Sequence, residues 1–171
     1  MLRPQDLVIL LRLLIGERTP EQWGQNELAR ATGLSQAEVH NALKRAATSG
    51  LYDHRAKKVM RKALLEVLVH GVKYFFPAHP GSPTRGIPTA WAASPLSEEL
   101  TGSQSEEQPV WAHPDGRARG SAVEPLYKTV PEVALHDPEM HEVLALVDAL
   151  RLGRARERAL AEQILEKRLR K

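Results

Sequence analysis

The chain has 171 residues, 42% hydrophobic and 26% charged, which suits one modest core with an appendage and is too short for a large multidomain enzyme. It has no cysteine, so disulfides, thiolate zinc sites and cysteine nucleophiles are excluded, and a cytoplasmic location is expected. The net charge of +3 is uneven, with +5 on residues 1–62, −4 on residues 63–115 and +2 on residues 116–171.

The apolar runs Leu7–Ile15 and Ala63–Val69 fall short of the ~20 residues that cross a bilayer, and Met1–Pro4 lacks a signal-peptide profile, so no membrane association is expected. Ten of the twelve prolines lie between Pro77 and Pro138, and each removes a backbone donor. Three zones follow: a helical segment at 1–76, a Pro/Gly-rich extended arm or linker at 77–136, and a C-terminal helical pair at 137–171. The expected fold class is mainly α with a small β component.

In chain order, Pro4 suits a first helical turn, and Leu7, Leu10, Leu11, Leu14 and Ile15 recur at the 3/4 spacing of a buried face. Thr19-Pro20-Glu21-Gln22 carries the signals of a second short start. A helix over Gln25–Thr32 is closed by Gly33, a left-handed C-cap candidate. Ser35-Gln36-Ala37-Glu38 reads as a capping box that opens a third helix running to about Thr48.

The run Asn26-Glu27-Leu28-Ala29-Arg30-Ala31-Thr32-Gly33-Leu34-Ser35-Gln36-Ala37-Glu38-Val39, continued by Leu43-Lys44-Arg45 and Ser49-Gly50-Leu51, resembles the winged helix-turn-helix of bacterial transcription regulators. The resemblance covers about residues 5–62, and residues 26–51 carry it best. It implies a third helix seated in a DNA major groove, followed by a β-hairpin wing. Leu51-Tyr52 and Val59-Met60 are the candidate wing strands. The tip at Asp53–Lys58 lacks the Gly, Asn or Pro of a tight turn, and Arg55–Leu68 also reads as continuous helix.

If the third helix buries Val39, Ala42, Leu43 and Ala46, its other face presents Gln36, Ala37, His40, Asn41, Lys44 and Arg45. Gln36 and Asn41 can pair with adenine, Lys44 and Arg45 can reach guanine or phosphate, and the Ala37 methyl can meet a thymine methyl. Ser35 at the helix N-terminus can contact phosphate. Lys44–Lys62 holds seven basic residues against one acid, and its Arg55, Lys57 and Lys58 are candidate backbone contacts. The candidate DNA-binding set is therefore Ser35, Gln36, Ala37, His40, Asn41, Lys44, Arg45, Arg55, Lys57 and Lys58.

Farther along, Ala63, Leu64, Val67 and Leu68 suit a helix on the same core, and Val72–Phe76 reads as a strand. Pro77–Ala90 reads as an extended arm laid over its own domain or a partner, anchored through Trp91, Pro109, Trp111, Leu126 and Tyr127, with a mobile tract at Ser97–Gln108. Asp137 and His141 would share a helix face, but Asp137-Pro138-Glu139 already makes a sound helix start, so no metal site is expected. Val143, Leu144, Leu146, Val147 and Leu150 form an apolar stripe that, with Leu160, Ile164 and Leu165, can close the core or form a dimer seam. The dimer is favoured here, because regulators of this kind read inverted repeats.

No phosphate-cradling loop, nucleophile elbow or paired carboxylate stands out, so neither catalysis nor a cofactor is expected. These readings converge on a sequence-specific double-stranded DNA-binding regulator, a homodimeric repressor with helix 35–48 in the major groove. The alternative class is a protein-interaction module, such as an autoregulating antitoxin, that binds a protein partner through the Pro-rich arm and the rest of residues 77–171.

Overall fold

The computed structural model describes residues 1–100 and 107–170. Helix α1 (Pro4–Leu14) begins with proline in its first turn and is buried almost all round, from Gln5 to Leu13. A 3-10 turn (Pro20–Gln22) leads to α2 (Gln25–Thr32) and α3 (Gln36–Thr48). Gly33, between the two helices, has φ 71°, a left-handed conformation that glycine adopts without steric cost. A short hairpin follows, β1 (Tyr52–Asp53) pairing antiparallel with β2 (Lys58–Val59), so that Tyr52 faces Val59.

The next helical stretch comprises α4 (Arg61–Glu66), a π-helical turn over Val67–Gly71 and α5 (Val72–Phe75). This corrects the strand expected at Val72–Phe76. Leu64, Leu68 and Val72 are almost wholly buried, at the spacing of one helix face, whereas Tyr74 and Phe75 are neighbours and both exposed, which a half-buried strand does not allow.

The proline-rich zone departs further from its expected extended form. Strands β3 (Pro83–Pro88), β4 (Pro109–Ala112) and β5 (Ala118–Ala122) close on one another. β3 is antiparallel to both neighbours, and β4 runs parallel to β5. Between β3 and β4 lie a 3-10 turn (Ala90–Ala92) and α6 (Leu96–Glu99). Part of the tract expected to be mobile, residues 101–106, lies outside the described residues. Prolines are tolerated because they fall at strand ends, Pro83 and Pro88 bounding β3 and Pro109 opening β4. Gly86 sits where the strands touch: a Cβ there would lie 2.0 Å from the Trp111 carbonyl oxygen.

Helices α7 (Val130–His136), α8 (Pro138–Leu152) and α9 (Ala155–Leu169) complete the chain's described elements. Asp137 caps α8 as its sequence suggests, accepting from Met140 N at 3.1 Å. α8 is buried without a break from Val143 to Arg151 and packs against α1, α5, α7, α9 and the Ala90–Ala92 turn. The apolar stripe assigned to a dimer seam is thus covered within one chain. The three zones read from the sequence contribute to one hydrophobic core, in which Leu10, Val39, Trp111 and Leu146 all take part.

A buried ionic group pins the small sheet to α8. Asp148, 1% exposed, accepts from Thr89 Oγ1 and Trp111 Nε1, each at 2.7 Å, and from Arg151 Nη1 at 2.7 Å. Arg151 in turn donates to the Phe76 and Glu124 carbonyls at 2.8 and 3.1 Å. Burial pushes the Asp148 carboxyl up, against the pull of Arg151, Thr89 and Trp111. A buried carboxylate with that many donors is satisfied and serves as a structural fastening.

Candidate nucleic-acid interface

Helix α3 owes its orientation to both its faces. Val39, Ala42, Leu43 and Ala46 are buried and pack toward α1 and α2. Ser35 caps the helix, its Oγ accepting from Glu38 N at 3.1 Å. The reciprocal half of the expected capping box is replaced, because the Glu38 carboxylate accepts from Gln5 Nε2 at 3.0 Å and from Arg45.

Arg45 accordingly has a place other than the one expected. Its Nε lies 3.1 and 3.0 Å from the two Asp6 carboxylate oxygens and its Nη2 lies 2.7 Å from Oδ1. Asp6 is 0% exposed and has one further donor, the Arg3 amide at 2.9 Å. A buried carboxylate needs such a counter-charge. The two carboxylates, Asp6 foremost, raise the Arg45 pKa still further, and the Arg45 hydrogen bond lowers that of Glu38. Arg45 is therefore a brace between α1 and α3, paired with Asp6 and Glu38 in place of the base or phosphate contact expected of it. The signal was present in the sequence as an acid at position 6, directly before the apolar run Leu7–Leu11, but its partner lies 39 residues away.

On the opposite side of α3, Ser35, Gln36, Ala37, His40, Asn41 and Lys44 are all exposed. Positions 36, 37, 40, 41 and 44 form one continuous helix face. Among the described residues, the side chains of Gln36, His40, Asn41 and Lys44 make no hydrogen bond or ion pair within the chain. Their donors and acceptors are free for an external partner.

The hairpin follows α3 directly. Leu51 N donates to Ala46 O at 2.9 Å and Met60 N to Leu51 O at 2.9 Å, while buried Tyr52 packs inward. Its tip has no glycine, and Asp53 shapes it instead. Asp53 Oδ1 accepts from Arg55 N at 2.9 Å and Ala56 N at 3.0 Å, a side-chain turn of the kind aspartate favours, and Lys57 takes a positive φ of 49°. The Ala56 and Arg55 amides lower the Asp53 pKa. His54 lies edge-on to Tyr52 at 5.6 Å between ring centroids. Arg55, Lys57 and Lys58 stand exposed at the tip, and the alternative of continuous helix from Arg55 is excluded.

The turn between α2 and α3 is backed by α7, where Thr129 Oγ1 donates to the Thr32 carbonyl at 2.7 Å. Behind α1, buried Arg12 bonds the Ile15 carbonyl and pairs with Asp137, while Trp23 stacks between Arg12 and Arg18 at 5.2 and 4.9 Å. Asp137 and His141 both have protein partners, His141 Nε2 lying 2.8 Å from the Pro88 carbonyl. Among the described residues no group of three or more His, Asp or Glu is arranged to hold a metal ion, and no helix is long and apolar enough to cross a membrane. The described part of residues 77–136 is folded onto the helices. No family model, curated protein or solved structure matches this chain.

Proposed function

We propose that the protein is a sequence-specific double-stranded DNA-binding regulator of the winged helix-turn-helix type, with α3 as its major-groove helix and the β1–β2 hairpin as a short wing. The observation that carries this reading is the free polar face of α3. Gln36, Ala37, His40, Asn41 and Lys44 are exposed and, among the described residues, have no hydrogen-bond or ion-pair partner for their side chains, on a helix held from behind by Arg45 and the core. Such a surface suits direct readout, in which amide side chains pair with adenine and a lysine reaches guanine or phosphate. Arg55, Lys57 and Lys58 at the hairpin tip supply phosphate contacts that fix register without reading sequence.

Action is by occupancy of a site on DNA, as a repressor. Pairing of two copies on an inverted repeat requires a surface other than α8. Selection of duplexes from a randomised pool by the full chain tests the reading: enrichment of a short motif is the expected result, and a pool that stays random after repeated rounds would refute it. No catalytic step is assigned.

A further inference from the structure

A second cationic surface lies on the small sheet, on elements separate from α3 and the hairpin. In the antiparallel register of β3 and β5, Arg85 stands directly opposite Arg119, and both side chains are exposed. Directly paired residues share a face and lie about 5 Å apart at Cα. Like charges in that position repel, and a sheet gains nothing from them unless something compensates. Arg117, two residues before Arg119, is also exposed. The three arginines, with Gly116 and Ala118, line an open depression of about 450 Å³.

Among the described residues none of the three guanidiniums makes a hydrogen bond or ion pair within the chain. Of the neighbouring acids, Glu107 accepts from Ser121 Oγ at 2.9 Å and Glu132 accepts from His113 and His136 at 2.9 and 3.2 Å, while exposed Glu124 makes no ion pair with the three arginines. Asp115, exposed in the turn before Gly116, makes no ion pair with them. Elsewhere in the fold Arg12, Arg18, Arg45, Arg151 and Arg168 each pair with a carboxylate.

We infer that Arg85, Arg117 and Arg119 form a phosphate-binding site. Planar guanidinium forks match the oxygens of a phosphoryl group bidentately, and an anion seated between Arg85 and Arg119 turns their repulsion into a clamp. The inference goes beyond the α3 reading and does not depend on it. The phosphoryl group is either that of a free oligophosphate or that of a nucleic-acid backbone, two sources with the same recognition chemistry.

The test uses the full chain, its Arg85→Gln/Arg117→Gln/Arg119→Gln variant, and the single variants Arg85→Gln and Arg119→Gln. A separate Lys44→Ala/Lys57→Ala variant controls for the α3 surface. Inorganic tripolyphosphate, titrated calorimetrically and by thermal shift, is expected to bind and stabilise the wild-type chain and the Lys44/Lys57 variant but not the triple variant. Each single variant should lose affinity by on the order of tenfold, as expected for removal of one charge-assisted bidentate contact. A backbone source appears instead as a fall of roughly two to three in the log–log salt slope for a random-sequence duplex when the triple variant replaces wild type, at ~0.9 per phosphate contact.

Either result supports the site and names its source. If tripolyphosphate fails to bind wild type and the triple variant keeps the wild-type duplex affinity and slope, the site does not exist. Failure of the α3 reading is read separately, as duplex affinity that is unchanged in the Lys44→Ala/Lys57→Ala variant.

Discussion

Replacing Arg45 with methionine separates its role as a brace from a role in reading DNA. The substitution keeps an unbranched apolar stem and removes three contacts to Asp6, at 3.1, 3.0 and 2.7 Å, leaving that carboxylate with the Arg3 amide alone. Breaking a buried pair by removing one partner costs about 3–5 kcal/mol. The Arg45 side chain is 18% exposed and that of Asp6 0%, so solvent relieves part of this, and about 2–4 kcal/mol is expected. At this chain length that corresponds to a melting point lower by roughly 5–15 °C. Urea unfolding followed by far-ultraviolet circular dichroism, fitted with a common m-value, measures it. Asp6→Leu/Arg45→Met, which replaces the whole pair with apolar groups, should recover most of the loss. A single variant within about 0.5 kcal/mol of wild type, the range of an ordinary surface change, would refute the reasoning. So would a double variant no more stable than the single one.

Thr89→Val removes one donor to the buried Asp148 while keeping the side-chain shape, and should cost about 1.5–3 kcal/mol in the same unfolding assay; a neutral result would mean that Asp148 does not fasten the sheet to α8. Gly86→Ala forces a methyl group onto the Trp111 carbonyl and should destabilise by at least about 1–3 kcal/mol, with loss of near-ultraviolet signal from Trp111 as the independent readout. Glu38 has a folded pKa below its ordinary value, chiefly through its hydrogen bond from Arg45. Its ionised form therefore contributes stability above the unfolded-state value of about 4.3, which is lost as pH falls through the lower folded value. Glu38→Gln should be less stable than wild type at neutral pH by about 1 kcal/mol or less, with the gap closing in acid; a gap independent of pH would contradict this.

Much of the first 60 residues was legible because local signals agree there. Pro4, Gly33 and Ser35 mark helix ends by local capping chemistry alone, and Val39, Ala42, Leu43 and Ala46 mark a buried face by period. The fate of Arg45 was not legible, since its partner Asp6 comes from another helix and no local rule pairs positions 6 and 45. The hairpin was ambiguous for a similar reason: its turn is made by the Asp53 carboxylate and a left-handed Lys57, not by glycine. Past Phe76 the proline content misled. Prolines at strand ends are compatible with a small sheet, and that sheet holds together through Trp111 and Thr89 reaching Asp148 on α8, contacts that composition does not encode. The stripe on α8 looked like a seam because periodicity shows that a face is apolar without showing which part of the same chain covers it.

The central claim is that the free face of α3 reads DNA while the hairpin grips its backbone. Its most direct test is an equilibrium titration of duplex carrying a selected motif, with unrelated duplex as competitor, across a series of salt concentrations. Wild type, Asn41→Ala and Lys57→Ala are compared. Asn41→Ala should lose about 1–3 kcal/mol on the motif and little on unrelated duplex, whereas Lys57→Ala should weaken both alike and lower the salt slope by ~0.9. Wild-type affinity and slope in both variants, with the fold intact, would contradict the account and leave α3 a scaffold helix.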